Sequence, residues 1–139
     1  MRVLKLDKKT FYDSVSSDRF HIYGDVKLYK ETIKHAYYIE QNKSVEALGG
    51  LFPWWDGVGE VWMIPADDIQ ISSIMFIKAM GRLIDNLIRD NNLWRIQATA
   101  EVGEEHHCRL LRVLGFEKEG LMRKFGPDKE DHFRYAKVK

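Results

Sequence analysis

Residues 59–80 read "GEVWMIPADDIQISSIMFIKAM", and the two halves of this stretch follow different spacing rules. Val61-Trp62-Met63-Ile64 is a strand-like apolar run that meets Pro65. From Ala66 through Asp67, Asp68, Ile69, Gln70 and Ile71 the pattern turns helical. Strand-to-helix turns hold phosphate in many folds, because a helix start offers free N–H groups and a positive dipole end. Such turns usually carry glycines, which let the backbone approach the ligand. Here no glycine stands between Gly59 and Gly81, and Asp67 and Asp68 occupy the turn. Both aspartates are expected to cap the helix rather than to act chemically.

Downstream, Ile74, Ile77, Met80, Ile84, Leu87 and Ile88 recur at three- and four-residue steps, which predicts a helix from about Ile69 to Asn91 with one buried stripe. "LWRIQATAE" (93–101) returns to a strand pattern. "GEEHHCRLLRVLGF" (103–116) predicts a second helix, acidic in its first turn and ended by Gly115, with His107, Leu110, Leu111 and Leu114 on its inner face. "LMRKF" and "HFRYAKV" flank the turn "GPDKED" as a closing hairpin. Upstream, "HAYYIEQNKSVEALGGLFPWW" (35–55) reads as two strands joined at Gln41-Asn42-Lys43, and with "EVWMI" it gives an antiparallel meander. "VLKLD" (3–7) predicts a first strand. Residues 8–35 lean helical, with Asp25 as a cap for "VKLYKETIKH".

The 139 residues fit one domain, 1–139, with a sizeable core. An apolar content of 45% with seven Phe, six Tyr and four Trp excludes disorder. A formal charge of +1 supplies no global field for nucleic acid or an anionic membrane. Cys108 is the only cysteine, so no intrachain disulfide forms. The N-terminus lacks a long apolar run, so neither a signal peptide nor a membrane span is expected.

The element order, together with "HHCRLLRVLGFEKEGLMRKF" (106–125), resembles the GNAT acetyltransferase superfamily. Arg109, Leu111, Leu114, Gly115, Phe116, Glu119 and Gly120 fall in register with the motif of its ribosomal-protein acetyltransferase branch. The resemblance covers roughly residues 36–139. It implies an α/β (α+β) fold: a mixed, mostly antiparallel sheet of six to seven strands flanked by helices, splayed in the middle where acetyl-CoA enters. It also exposes departures. Aligned on Asp68, the family's glycine-rich pyrophosphate turn, Q/R-x-x-G-x-G/A, would run over Ile69, Ile71 and Ser73, with its glycines replaced by Ile71 and Ser73. β-Branched side chains there keep a pyrophosphate off the backbone, and Asp67 and Asp68 repel its charge. The family's cofactor-side Asn corresponds to Glu104 and its proton-donating Tyr to Leu111, and neither residue can do that work.

Short GNAT-like proteins of tailed phages, including an internal virion protein family of short-tailed podoviruses, share this order and lack the glycine-rich turn. The expected function on this resemblance is a non-catalytic structural or assembly component of a virion, located in the virion or the host cytoplasm. It would use no cofactor, and its partners would be phage structural proteins or copies of itself. The alternative is an active N-acetyltransferase using acetyl-CoA. On that reading Glu60 or Glu101 serves as base, and Met63, Ile64, Ile71, Ser72 and Ser73 lie along the cofactor.

The remaining candidates have plainer readings. His106 and His107 point about 100° apart on a helix, which disfavours one shared metal, so a half-buried His107 and a solvated His106 are expected. Cys108 reads as an ordinary core or surface thiol. Trp54 and Trp55 point in opposite directions on a strand, so one is expected inside and the other at a protein contact. No nucleic-acid surface or membrane contact is expected.

Overall fold

The computed structural model of the chain describes residues 1–22, 26–69 and 71–139. The chain runs through β1 (Arg2–Lys5), α1 (Lys8–Val15), α2 (Val26–Lys30), a 3-10 turn (Ile33–His35), β2 (Ala36–Gln41), β3 (Ser44–Trp55) and β4 (Val58–Pro65). It continues through α3 (Ser73–Asp90), β5 (Arg95–Glu101), α4 (Glu105–Val113), β6 (Glu117–Met122) and β7 (His132–Val138). The strands form one seven-stranded sheet in the order β1-β2-β3-β4-β5-β7-β6. Only β4 and β5 pair in parallel; every other neighbouring pair is antiparallel. The mixed, mostly antiparallel α/β architecture expected from the sequence is therefore present. Asp25 and Gln70, assigned above to helix starts, lie outside the described residues.

Local chemistry accounts for the turns. Asn42 and Lys43 both take positive φ between β2 and β3, the geometry of a tight two-residue hairpin. Asp7 caps α1 by accepting the Thr10 amide at 2.8 Å. Gly115 adopts φ +94 just past α4, which lets the chain turn back so that Phe116 re-enters the core.

The sheet is covered on both faces. On one, α3 buries Ala79, Met80, Leu83, Ile84 and Leu87 against Tyr37, Ile39, Leu51 and Ile96, joined by Cys108 and Leu114 from α4. On the other, Leu6, Phe11, Phe20 and Ile33 pack on Leu48, Trp62 and Ile64. The Trp62 indole donates to the Thr32 hydroxyl at 2.9 Å, so its polar end is satisfied when buried. Gly50 makes room for that ring, since a Cβ there would stand 2.6 Å from it.

Several expectations need correction. The helix begins at Ser73, with Ser72 as its cap, and not at Ala66 or Ile69. Residues 66–67 are claimed elsewhere: the Ala66 amide donates to the Glu46 carbonyl and the Asp67 amide to the Arg19 carbonyl. Ile74 therefore falls in the first turn, beyond the reach of the sheet, and is 69% exposed. β6 spans Glu117–Met122, ahead of most of "LMRKF".

Leu83 is fully buried where α3 crosses the sheet. Leu83→Ala is expected to cost about 2–5 kcal/mol of stability, read as a lowered denaturant midpoint.

Candidate functional site

The sheet comes apart in its middle. β4 and β5 share only three register pairs, Val58–Arg95, Gly59–Ile96 and Glu60–Gln97. Beyond them β4 stays paired with β3 as far as Pro65, and β5 stays paired with β7 as far as Glu101. From Val61 onward, the β5-facing edge of β4 is not paired with β5, which leaves backbone groups for an extended ligand.

The parting opens a cavity of about 300 Å³ lined by Val61, Met63, Met80, Ile84, Ala98, Leu110, Leu111 and Leu114, with His21, Asp67, Thr99 and His107 as its polar members. A second cavity of about 360 Å³ lies between the start of α3 and α4, lined by Ile69, Ile71, Ser73, Phe76 and Ile77 with His106, His107 and Arg109. The two share Met63, Pro65, His107 and Leu110, so they adjoin. Their volumes fall in the range of small-molecule sites. The second cavity has no carboxylate in its lining, and its basic members favour an anion.

The sequence-derived residues separate here. Glu60 marks the point where the strands part, but its Oε1 already accepts Arg134 Nη1 at 2.9 Å and Gln97 Nε2 at 3.0 Å. Glu101 is the last residue of β5. Neither lines either of these two cavities. Met63 lines both cavities, Ile71 and Ser73 line the second, and Ile64 turns into the opposite core. Ser72 is occupied as a cap, its Oγ accepting the Met75 amide at 3.2 Å. The Ser73 and Ile74 amides, at the start of α3, have no acceptor among the described residues.

Asp67 and Asp68 do not cap α3. Asp68 accepts Arg19 Nε at 2.8 Å, and Asp67 Oδ2 lies 2.9 Å from His21 Nε2. Their charges are met by the 19–21 segment, whose Arg19 also reaches the Val45 carbonyl at 2.9 Å and buried Glu46 at 3.4 Å. The repulsion expected at the turn is thereby reduced. Arg19 and His21 were missed because their partners are distant in sequence: Asp67 lies 46 positions from His21, and Glu46 and Asp68 lie 27 and 49 positions from Arg19.

Leu110 and Leu111 are half-buried because they face the cavity; only Cys108 and Leu114 of the inner face are fully buried. His107 is exposed at the cavity wall, and not half-buried. Glu104 stands at the start of α4 and makes no side-chain capping bond. Among the described residues no group of three or more His, Cys, Asp or Glu is placed to hold a metal ion. None of their helices is long and apolar enough to cross a membrane. Trp54 and Trp55 are both exposed, at 56% and 69%, so neither is the core residue expected of one of them. Trp94, unnoticed in the sequence, is exposed at the same end, its amide donating to the Gly57 carbonyl at 2.9 Å.

No protein-family model and no curated protein matches the chain. Solved structures do. The ribosomal-protein-S18-alanine N-acetyltransferase of Escherichia coli superposes with a TM-score of 0.79 at 16% identity, over 99% of this chain and 92% of that one. A variant of the spermidine N-acetyltransferase of Vibrio cholerae gives 0.73 at 15% identity, over 99% and 92%. An acetyltransferase-like protein of Salmonella typhimurium, solved with its cofactor acetyl-CoA, gives 0.63 at 19% identity, over 74% and 63%. The fold is that of the GNAT acetyltransferases.

Two outcomes are expected from this geometry. Leu111→Ala should cost less than a fully buried leucine, under about 2 kcal/mol, in a denaturant titration. The bond from Arg19 holds the Asp68 carboxyl below the ordinary aspartate range. A lowered folded-state pKa means that the tether stabilises at neutral pH and is lost as pH falls through that lowered value. The protection of the amides in residues 17–22 relative to intrinsic exchange should therefore fall on acidification through that lowered value. Arg19→Ala should show the loss of protection already at neutral pH.

Proposed function

We propose that this chain is an acetyl-CoA-dependent N-acetyltransferase acting on an amine of a protein or small molecule. The observation that carries this reading is the groove where β4 and β5 part, with half-buried apolar side chains along its length. The solved acetyltransferases of the same fold favour it over the virion-component reading that the sequence put first. When bound, acetyl-CoA would supply an activated acetyl group: the neutral amine nitrogen would gain the acyl carbon and give up one proton, the thioester C–S bond would break, and the leaving thiolate would take up one proton, so that no net proton is consumed.

The residues present fit this group in two different ways. Val61, Met63, Ile77, Leu110 and Leu111 offer apolar contact to a pantetheine arm, and the β4 edge offers amide partners. The diphosphate end would meet Ile71 where the family has a glycine, with Ile69 beside it. Its charge would therefore be met by Arg109, with the His106 and His107 rings as hydrogen-bond donors and the Ser73 amide at the start of α3. Calorimetric titration with acetyl-CoA should show saturable one-site binding. Arg109→Glu should weaken it by roughly tenfold or more, about 1.4 kcal/mol. Absence of saturable binding would rule the reading out.

A second reading keeps the fold without the reaction, as a structural or assembly component of a virion. It is supported by Leu111 at the position of the family's proton donor and by the engagement of Glu60 with Arg134 and Gln97. On this reading exposed Trp54 and Trp55 form a contact with copies of the chain or with another protein of the assembly. Native mass spectrometry and light scattering should then show an assembly that Trp54→Ala and Trp55→Ala weaken, each by about 2 kcal/mol or more. That assembly should resist added salt, since the net charge is +1.

A further inference from the structure

We propose that His21, oriented by Asp67, is the base that takes the proton from the acceptor ammonium at the mouth of the β4–β5 groove; this rests on the acetyltransferase reading above. An amine that is protonated in water must lose that proton before its nitrogen can attack. The groove must therefore present a proton acceptor on the side from which the amine arrives. Among the described residues lining the cavity at the parting, only His21, Asp67 and His107 carry an ionisable side chain. Glu60 and Glu101 are absent from that lining, and Glu60 is already bonded to Arg134 and Gln97. His107 stands on α4 and also lines the second cavity beside His106 and Arg109, the end assigned to the diphosphate.

His21 and Asp67 form a pair suited to the task. His21 Nε2 lies 2.9 Å from Asp67 Oδ2. On this proposal the ring hydrogen sits on Nε2, toward the accepting carboxylate, and the lone pair on Nδ1. The same carboxylate stabilises the imidazolium that forms on proton uptake. The pair is held together by backbone, because the Asp67 amide donates to the Arg19 carbonyl at 2.7 Å. Arg19, the nearest cation on the same segment, is itself bonded to Asp68 at 2.8 Å. The His21 side chain is 72% exposed, so an amine can reach it and the proton can leave to water. In the step, R–NH3+ gives one proton to Nδ1 and becomes R–NH2, and His21 becomes imidazolium. Bulk water then takes the proton and restores the neutral ring.

The test uses the full chain in three measurements. Nitrogen-15 NMR of the histidine rings reads the tautomer without any turnover. His21 is expected with hydrogen on Nε2 and a bare Nδ1, and Asp67→Ala should mix the two tautomers; a wild-type ring with hydrogen on Nδ1 overturns the proposal. Thiol release from acetyl-CoA is then followed with spermidine, benzylamine and an alanine-starting peptide as acceptors. His21→Ala and His21→Gln are each expected to lower kcat/KM by roughly 10²–10⁴-fold. Added imidazole should restore part of the His21→Ala activity but none of the His21→Gln activity, where the glutamine fills the space. Acetyl-CoA affinity, read by calorimetry, should be unchanged in both variants. Unchanged turnover in His21→Ala, or a loss that imidazole does not rescue, overturns the base while leaving the transferase reading intact. If the wild-type chain binds acetyl-CoA but acetylates none of the amines, the base falls together with the transfer. If it does not bind acetyl-CoA, the transferase reading itself has failed.

Discussion

Glu60 and Arg134 meet at 2.9 Å where the sheet divides, and the molecule depends on how that point is held. Glu60 stands opposite Gln97 in the last register pair between β4 and β5, and Gln97 also donates to it. Arg134 comes from β7, on the far side of β5, so the ion pair bridges three strands at the vertex. Both side chains are mostly buried, at 17% and 18% exposure. Such a pair is screened less than the surface pairs whose worth is about 0–1 kcal/mol, and loss of either partner would strand the other. Beneath the vertex, α3 packs on residues from both halves, Ile39 and Leu51 on one side and Ile96 and Ala98 on the other. Ladder hydrogen bonds alone would let two parted half-sheets slide; the helix and the ion pair fix the angle between them.

That arrangement has a cost in burial. Val61, Met63, Leu110 and Leu111 would each add on the order of 1 kcal/mol or more if fully covered, yet they stay half-exposed along the groove. The stability comes from elsewhere, chiefly the fully buried Leu83, Ile84 and Leu87 of α3 and the Trp62 cluster on the opposite face. A cavity lined by apolar side chains and framed by well-packed elements is the usual form of a small-molecule site.

What the sequence made legible follows from how local each signal is. Most of the α3 stripe, the positive-φ stop at Gly115, the Asn42-Lys43 turn and the order of elements along the chain rest on periods and turn residues within a few positions of each other. The start of α3 was misplaced because Ala66 and Asp67 look helical in isolation, whereas their amides are taken by Glu46 and Arg19 from distant strands and loops. The same cause hid the site. Glu60 and Arg134 are 74 positions apart, and Arg19 and Asp68 are 49 apart. No composition or spacing rule joins such pairs; only the closing of the sheet does. Leu111 was expected to be buried because periodicity assigns a face, and a face can look onto a groove as readily as onto a neighbour.

The glycine-free turn changes which forces a bound diphosphate would answer to. In a glycine-rich turn the backbone amides themselves surround the anion, and their dipoles are fixed and carry no net charge. Here Ile69 and Ile71 stand in the way, and the positive charge facing the second cavity comes from Arg109 on α4, beside the His106 and His107 rings. Those groups lie at the surface, where salt at physiological strength screens charges beyond about 8 Å. The apolar part of the groove has no such dependence, because burial of a pantetheine arm against Met63, Ile77 and Leu110 is not electrostatic. The two ends of one ligand would thus be held by different physics. On the acetyltransferase proposal the diphosphate end would weaken as salt rises and the pantetheine end would not, so affinity that survived high salt would have to come from the parted strands rather than from the turn.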